Sequence, residues 1–249
     1  MQLGGDSITA IRLVEAGRKV NYHMTVADIF THPKLEGMIH LLETRSSKAA
    51  EDVTREPFQL CKNPSSQNKA LIAAQCGVNV DQFEDIYPCT PLQEGLMAIT
   101  MCQPNAYISR RVFELTDEVD VERLCAAWKV MSDTAQILRT RIILKENARA
   151  LQVVVKEPIT LLRGTDLDNY LRTDRSTGMN PGMPLVRYGL VNDERSGKRF
   201  FIWTAHHSVY DGWSMQLLYQ NVASIYSNGT TPQDMPYSRF IQYIDSIEP

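Results

Sequence analysis

An apolar run at residues 200–205 (FFIWTA) ends at a histidine pair, His206 and His207. A short apolar run that stops at polar residues predicts a buried β-strand, and residues 213–227 beyond it have the pattern of a helix. Because neighbouring side chains on a strand point to opposite faces, we expect the two imidazoles to face opposite ways. The segment therefore predicts a strand–loop–helix unit with one histidine packed into the domain and the other at a cleft.

Asp211 and Gly212 lie in the turn between this strand and helix. A titratable imidazole at a strand end is well suited to proton transfer near pH 7. The same residues also have a purely structural interpretation, in which the histidines are hydrogen-bonded in the core and Asp211 caps the helix. Spacing alone leaves both interpretations open.

The composition limits the class of protein. The chain has 249 residues, of which 43% are hydrophobic and 22% charged, and this predicts one or two folded domains. A net charge of −3 argues against a nucleic-acid partner. The five cysteines form no CxxC pair, so no metal site or disulfide framework is predicted. Without a signal peptide or a membrane-spanning run, we expect a cytoplasmic protein with no membrane partner.

Residues 3–47 have the pattern of a short helical unit. Apolar residues recur at helical spacing from Ile8, the segment TVAD at 25–28 resembles a capping box, and Pro33 is expected to end the second helix. The turn LGGDS places Ser7 at a helix N-terminus, where backbone amides can receive a phosphate. The structural alternative is that Ser7 only caps this helix.

Strand and helix patterns interleave after a polar, turn-rich stretch that we interpret as a linker at 48–80. This alternation predicts a mixed α/β class. The predicted strands are 107–115, 137–144, 151–155, 185–191 and 199–205, and the predicted helices are 69–76, 80–85, one from Pro91, one over 121–131, 168–175, 213–227 and 236–247.

Two segments near the N-terminus, LGGDSITAIRL and DIFTHPKLEGM, resemble the second half of a peptidyl carrier (thiolation) domain of a nonribosomal peptide synthetase. Residues 1–47 are accordingly interpreted as a partial carrier domain. The resemblance implies that Ser7 carries 4′-phosphopantetheine, with Asp6 matching the acidic residue beside the serine. It also implies a phosphopantetheinyl transferase as a partner.

Four later segments, DIYPCTPLQEGL, LRTR, GMPLVR and HHSVYDGWS, resemble in the same order the N-terminal lobe of a condensation domain of the fungal type. The resemblance implies that residues 81–249 form a mixed α/β lobe with a chloramphenicol-acetyltransferase-like fold. It implies that a tethered acyl or peptidyl thioester reacts with an acceptor amine to form an amide. Adjacent adenylation and carrier domains of the same synthetase are the implied partners.

The resemblance also assigns roles around the histidine pair. It implies that His207 is the base or the electrostatic partner of the attacking amine, and that His206 supports it. Asp211 is implied to orient the loop by pairing with an arginine, and Gly212 can offer its N–H to the thioester oxygen. Trp213 is expected in the core.

Arg139 and Arg141, in the LRTR segment, have two interpretations. They are either structural charges near the site or exposed arginines on a strand.

Three other functions are compatible with parts of the pattern. Epimerisation domains share the HHxxxDG element, although TPLQEGLM favours condensation. The spacing from His206 to Asp211 matches the HX4D pattern of glycerolipid acyltransferases, but membrane-facing helices are not predicted. The last alternative is an inactive fragment that only carries or docks.

Overall fold

The computed structural model describes residues 7–20, 22, 24–45, 56–61, 64–145, 148–232 and 236–247. The chain divides into two units, Met1–Thr54 and Arg55–Pro249. Each unit is described by itself below. None of the helices in the described residues is long and apolar enough to cross a lipid bilayer.

The described residues of the first unit contain three helices, α1 (Ser7–Lys19), α2 (Val26–Thr31) and α3 (Leu35–Arg45). The predicted capping box at the start of α2 is confirmed, because the Asp28 N–H donates to the Thr25 hydroxyl at 3.1 Å and the Thr25 N–H donates back to the Asp28 carboxylate at 2.8 Å. The helix ends before Pro33, as predicted. Ile8, the first residue of the predicted apolar stripe, is 42% exposed. The buried core of the described part of this unit is formed by Ala10, Val14, Met24 and Ile29.

The second unit has interleaved helices and strands, which confirms the predicted mixed α/β class. In chain order they are α4 (Ser66–Cys76), β1 (Phe83–Pro88), α5 (Pro91–Cys102), β2 (Ile108–Leu115), α6 (Val121–Thr134), β3 (Thr140–Lys145), β4 (Ala148–Val155), β5 (Leu161–Gly164), α7 (Leu167–Ser176), β6 (Val186–Asp193), β7 (Lys198–His206), α8 (Gly212–Asn228) and α9 (Tyr237–Ile247). Single 3₁₀ turns occur at Gln59–Cys61, Val80–Gln82 and Gln136–Arg139.

The strands form two sheets, one ordered β1-β4-β3 and the other β2-β7-β6-β5. All neighbours are antiparallel except β5 and β6. The main core lies against β7, where Trp128 of α6 stacks on Phe201 with ring centroids 5.3 Å apart. Leu218, Val222 and Ile225 of α8 belong to the same core, so α6 and α8 cover the sheet that ends in the histidine pair.

Two predicted elements differ from the structure, and one strand of the structure was not predicted. The predicted helix at 80–85 is wrong, because β1 starts at Phe83 and its side chains are buried on both faces, a pattern that does not separate a strand from a helix. The predicted strand at 137–144 starts only at Thr140, since the guanidinium of Arg139 donates to backbone carbonyls and holds the preceding residues in a 3₁₀ turn. The four-residue strand β5 was not predicted because it is short and largely exposed.

A buried carboxylate joins the strands that lead to the histidine pair. Asp174, in the last turns of α7, accepts hydrogen bonds from Arg110 Nε at 2.6 Å, Arg187 Nε at 2.8 Å and the Thr204 hydroxyl at 3.1 Å. These three donors are cross-strand neighbours on β2, β6 and β7. Because Thr204 lies two residues before His206, the carboxylate fixes the end of β7.

The charge of Asp174 is maintained by its partners. Burial alone would raise the pKa of the Asp174 carboxyl, but the hydrogen bonds and charges of Arg187 and Arg110 hold that pKa below its ordinary value. A carboxyl whose pKa is lower in the folded than in the unfolded chain stabilises the fold above the unfolded pKa of about 3.9. This contribution is lost as the pH falls through the folded-state pKa.

We predict that Asp174→Ala lowers the free energy of unfolding at pH 7 by about 3–5 kcal/mol, because two buried guanidinium groups lose their counter-ion. The difference from the wild type should shrink at pH 3, and urea unfolding at both pH values measures it. Asp133→Ala, which removes an exposed ion pair with Lys129, should cost less than about 1 kcal/mol. A loss for Asp174→Ala that is the same at both pH values would contradict this account.

Candidate active site

The two histidines lie on opposite sides of the end of β7, as predicted. His206 is fully buried, whereas the side chain of His207 is exposed. The His207 N–H donates to the carbonyl of Tyr107 at 2.8 Å, which continues the β2–β7 pairing by one residue. The exposed imidazole is therefore attached to a backbone held by the sheet.

Two tyrosines border the imidazole of His207. The ring of Tyr210 stacks on it with centroids 4.5 Å apart and planes inclined by 25°. Tyr107 lies edge-on at 6.5 Å. The backbone of Tyr107 has a φ of +57°, a left-handed conformation that is costly for an aromatic residue and that concentrates at functional sites.

His206 is hydrogen-bonded through both ring nitrogens. Its Nδ1 accepts the backbone N–H of Ser208 at 3.1 Å, and its Nε2 lies 2.7 Å from the hydroxyl of Thr100. Because Nδ1 is an acceptor, we assign the proton of the neutral ring to Nε2, which donates to Thr100. Burial, and to a lesser extent the neighbouring His207, lower the pKa of His206 to about 4. His206 is thus neutral at pH 7 and anchors the loop.

Asp211 is the N-cap of α8. Its carboxylate accepts the Ser214 N–H and the Ser214 hydroxyl, each at 2.7 Å, and the Asp211 N–H donates back to that hydroxyl at 2.8 Å. The capping interpretation of Asp211 is therefore confirmed. In the described part of the chain the hydrogen bonds of this carboxylate go to Ser214 and not to an arginine.

Gly212 is the first residue of α8 and is exposed. A Cβ added to Gly212 would meet no atom within 4 Å, so open space adjoins its backbone. The N–H groups of a first helical turn have no acceptor within the helix, and the cap uses that of Ser214. The N–H of Gly212 remains suitable for an oxygen of a ligand.

Trp213 is not a core residue, contrary to the prediction, because it is only partly buried. The buried face of α8 is formed by Leu218, Val222 and Ile225. At 3.6 residues per turn, Trp213 is rotated by about 140° from Leu218 around the helix. It therefore lies away from the core.

Arg139 and Arg141 are both buried, so the interpretation as exposed arginines is wrong. Arg139 pairs with Glu84, and Arg141 donates two hydrogen bonds of 2.7 Å to Glu157. Both also donate to backbone carbonyls. They are structural charges that join elements of the scaffold.

Sequence reasoning assigned no role to Gln93, although it lies in the PLQEG segment. Its side-chain amide is buried and donates to the carbonyl of Ser208 at 3.0 Å, directly after His207. The available signal was a capping box, since Thr90 is followed by a glutamine three residues later. The structure contains this capping box, in which the Thr90 N–H donates to the side-chain oxygen of Gln93 at 2.9 Å.

The residues proposed for phosphopantetheine lie in the other unit. Asp6 is outside the described residues. Ser7 is the first residue of α1, a helix of 13 residues, and its side chain is also outside the described part. The predicted position of residue 7 at a helix N-terminus is confirmed.

Comparisons with known proteins match the part of the chain that contains His207. The family model described as "Condensation domain" matches residues 83–248. The chain is 46% identical to nonribosomal peptide synthetase gloA of Glarea lozoyensis and 44% identical to nonribosomal peptide synthetase inpB of Emericella nidulans, in each case over 98% of its length. It spans only 4% and 11% of these two relatives.

Solved structures support the fold. A chain solved as holo T3CT is similar with a TM-score of 0.62 and 20% identity, over 77% of this chain and 46% of that chain. The starter condensation domain of rhizomide synthetase RzmA is similar with a TM-score of 0.53 and 18% identity, over 66% of this chain and 44% of that chain. At these identities the similarity is one of fold alone.

We predict that His206 makes stability depend on pH in the weakly acid range. Its folded-state pKa of about 4 lies below the unfolded value of about 6.5, so its contribution is complete above pH 6.5 and declines as the pH falls towards 4. Between pH 7 and pH 5 this loss is of the order of 2 kcal/mol. In His206→Gln, which keeps an N–H directed at Thr100, urea unfolding should show a correspondingly smaller loss.

His207→Gln is the matched control, because its ring is exposed and the pH-dependent loss should remain. An unchanged loss in His206→Gln would show that the buried ring is not its source.

Proposed function

Because this chain belongs to the condensation-domain family, we propose that it takes part in amide-bond formation during nonribosomal peptide synthesis. The observation that carries the proposal is the exposed imidazole of His207, which directly follows the end of β7 and lies five residues before the first residue of α8. We propose His207 as the catalytic residue and His206 as the residue that anchors it.

The reaction joins an amine to the carbonyl carbon of a thioester. As the C–N bond forms, the nitrogen becomes positively charged and must lose a proton, and the C–S bond then breaks to release a thiol. An imidazole within hydrogen-bond reach can accept that proton and return it to the leaving sulfur. Such general acid–base catalysis contributes about two to four powers of ten in rate.

Gly212 supplies the second part of the proposed chemistry. The thioester oxygen becomes negatively charged in the tetrahedral intermediate, and a backbone N–H directed at it stabilises that charge. The N-terminus of α8 also carries the positive end of the helix dipole. Asp211 acts as a positioning residue in this scheme, because its cap on Ser214 fixes the turn that presents Gly212.

We further propose that residues 1–47 are part of a carrier domain in which Ser7 holds 4′-phosphopantetheine, with Asp6 beside it. The start of α1 at residue 7 suits a phosphate, and the synthetase relatives match over 98% of the chain. When bound, the group supplies a thiol that holds the acyl chain as a thioester. Aminoacyl or peptidyl thioesters, a phosphopantetheinyl transferase, neighbouring adenylation and carrier domains and a cytoplasmic location belong to this proposal.

We predict that amide formation requires the His207 ring and the Gly212 N–H. His207→Ala should lower the rate by about 10²–10⁴. Gly212→Pro should lower it by about 10²–10³ because proline lacks the N–H. Proline is well tolerated at the first position of a helix, and Asp211 before it is already extended. The rate is measured by mass spectrometry of the peptide product, in the complete polypeptide that the gene encodes.

Gly212→Ala is the matched control, because it keeps the N–H and its Cβ meets open space. It should retain the rate within a few-fold. Full activity of His207→Ala would overturn the catalytic role, and equal rates for the alanine and proline variants would overturn that of the Gly212 N–H.

We predict that Ser7 is modified. Incubation with coenzyme A and a phosphopantetheinyl transferase should raise the intact mass by one phosphopantetheine group, and Ser7→Ala should show no increase. His207→Ala should be loaded like the wild type, since it does not alter the first unit. An absent increase, or one that persists in Ser7→Ala, would remove the carrier proposal.

A further inference from the structure

The buried face of helix α5 carries two polar residues that contact the histidine loop. The buried residues of this helix are Gln93, Met97 and Thr100, which recur at the spacing of a single helical face. Gln93 and Thr100 are hydrogen-bonding residues at either end of this face. Both contact the segment that contains His207.

The side-chain amide of Gln93 uses all its hydrogen-bonding groups. Its oxygen accepts the Thr90 N–H at 2.9 Å, and its nitrogen donates to the side-chain oxygen of Gln152 at 2.8 Å and to the carbonyl of Ser208 at 3.0 Å. Gln152 is oriented by its own donation to Pro88 at 3.1 Å. The opposite amide orientation would place an oxygen against two acceptors, so the orientation of Gln93 is determined.

Thr100 acts on the other side of His207. Its hydroxyl oxygen accepts a hydrogen bond from the Nε2–H assigned to His206, at 2.7 Å. The same oxygen lies 2.9 Å from the carbonyl oxygen of Ala106. Ala106 precedes Tyr107, whose own carbonyl accepts the His207 N–H. The hydroxyl therefore contacts the last residue of β7 and the turn that precedes β2.

The ring of His207 itself has no hydrogen bond within the residues that the structure describes; it only packs against Tyr210 and Tyr107. Its position must then follow from the backbone on either side of it. That backbone is held through His206 by Thr100 and through Ser208 by Gln93.

We infer that Gln93 and Thr100 are positioning residues, which set the place of the His207 imidazole from both sides of the histidine pair. As a statement about catalysis, the inference rests on the function proposed for His207. As a statement about where the ring lies, it can be tested without a substrate.

Glu94 offers a matched control on the same helix. Its carboxylate accepts the backbone N–H of Ala150 on β4 at 2.7 Å. Loss of this bond removes a link between α5 and β4, as loss of Gln93 does, but leaves the histidine loop untouched. A purely structural role of Gln93 would make Gln93→Met and Glu94→Met behave alike.

The test is the Cε1–Hε1 NMR signal of His207 in histidine-labelled protein. The chain has five histidines, and His207→Ala identifies the signal. Because Tyr210 stacks on the ring, its ring current makes the signal sensitive to small displacements. We expect a shift larger than the line width in Gln93→Met and in Thr100→Val, no such shift in Glu94→Met, and the wild-type position in Thr100→Ser, which restores the hydroxyl.

Kinetics give the second measurement. A displaced catalytic group is expected to lower kcat by about 10–100-fold with KM changed less than about threefold in Gln93→Met and Thr100→Val, but not in Glu94→Met. An unmoved His207 signal in both folded variants would overturn the inference. If Gln93→Met does not fold, the Thr100→Val and Thr100→Ser pair decides. If the wild type forms no amide while the signal still shifts, the proposed function fails and the positioning stands.

Discussion

The arrangement at the site depends on one buried amide, that of Gln93, which joins three parts of the second unit. It links the start of α5 to β4 in one sheet and to the loop that leaves β7 in the other. A buried amide that lost any of these bonds would leave polar atoms without water or partner, at a cost of about 1–3 kcal/mol per group. The two sheets are therefore held in a defined relation beside the exposed imidazole of His207.

The histidine pair shows how the alternation of side chains along a strand gives two adjacent imidazoles different environments. His206 points into the protein, where burial lowers its pKa to about 4 and both ring nitrogens have partners. His207 is exposed, and in the part of the chain that the structure describes its ring contacts are the packing against Tyr210 and Tyr107. Two adjacent residues of one type thus form a buried anchor and an exposed imidazole, because the backbone gives them opposite environments.

Local pattern predicted the strand and the histidine orientations and gave the cap at Asp211 as one of two interpretations, because each depends on residues within a few positions. It did not predict the role of Gln93, whose partners Gln152 and Ser208 lie 59 and 115 residues away. The same limit applies to Arg139, whose hydrogen bonds to backbone carbonyls of other elements accompany a 3₁₀ turn where a strand was predicted. The periodicity of apolar residues does not predict long-range hydrogen bonds between buried polar groups.

The compact spacing of residues 206–212 follows from these contacts. The buried ring of His206 accepts the Ser208 N–H, which turns the chain immediately after the strand. The turn brings Tyr210 back onto the ring of His207, and the next residue, Asp211, already caps α8. Each of these contacts joins residues two or three positions apart. The spacing from the end of the strand to the cap of α8 is therefore set by local contacts, and an insertion between His206 and Tyr210 would change at least one of them.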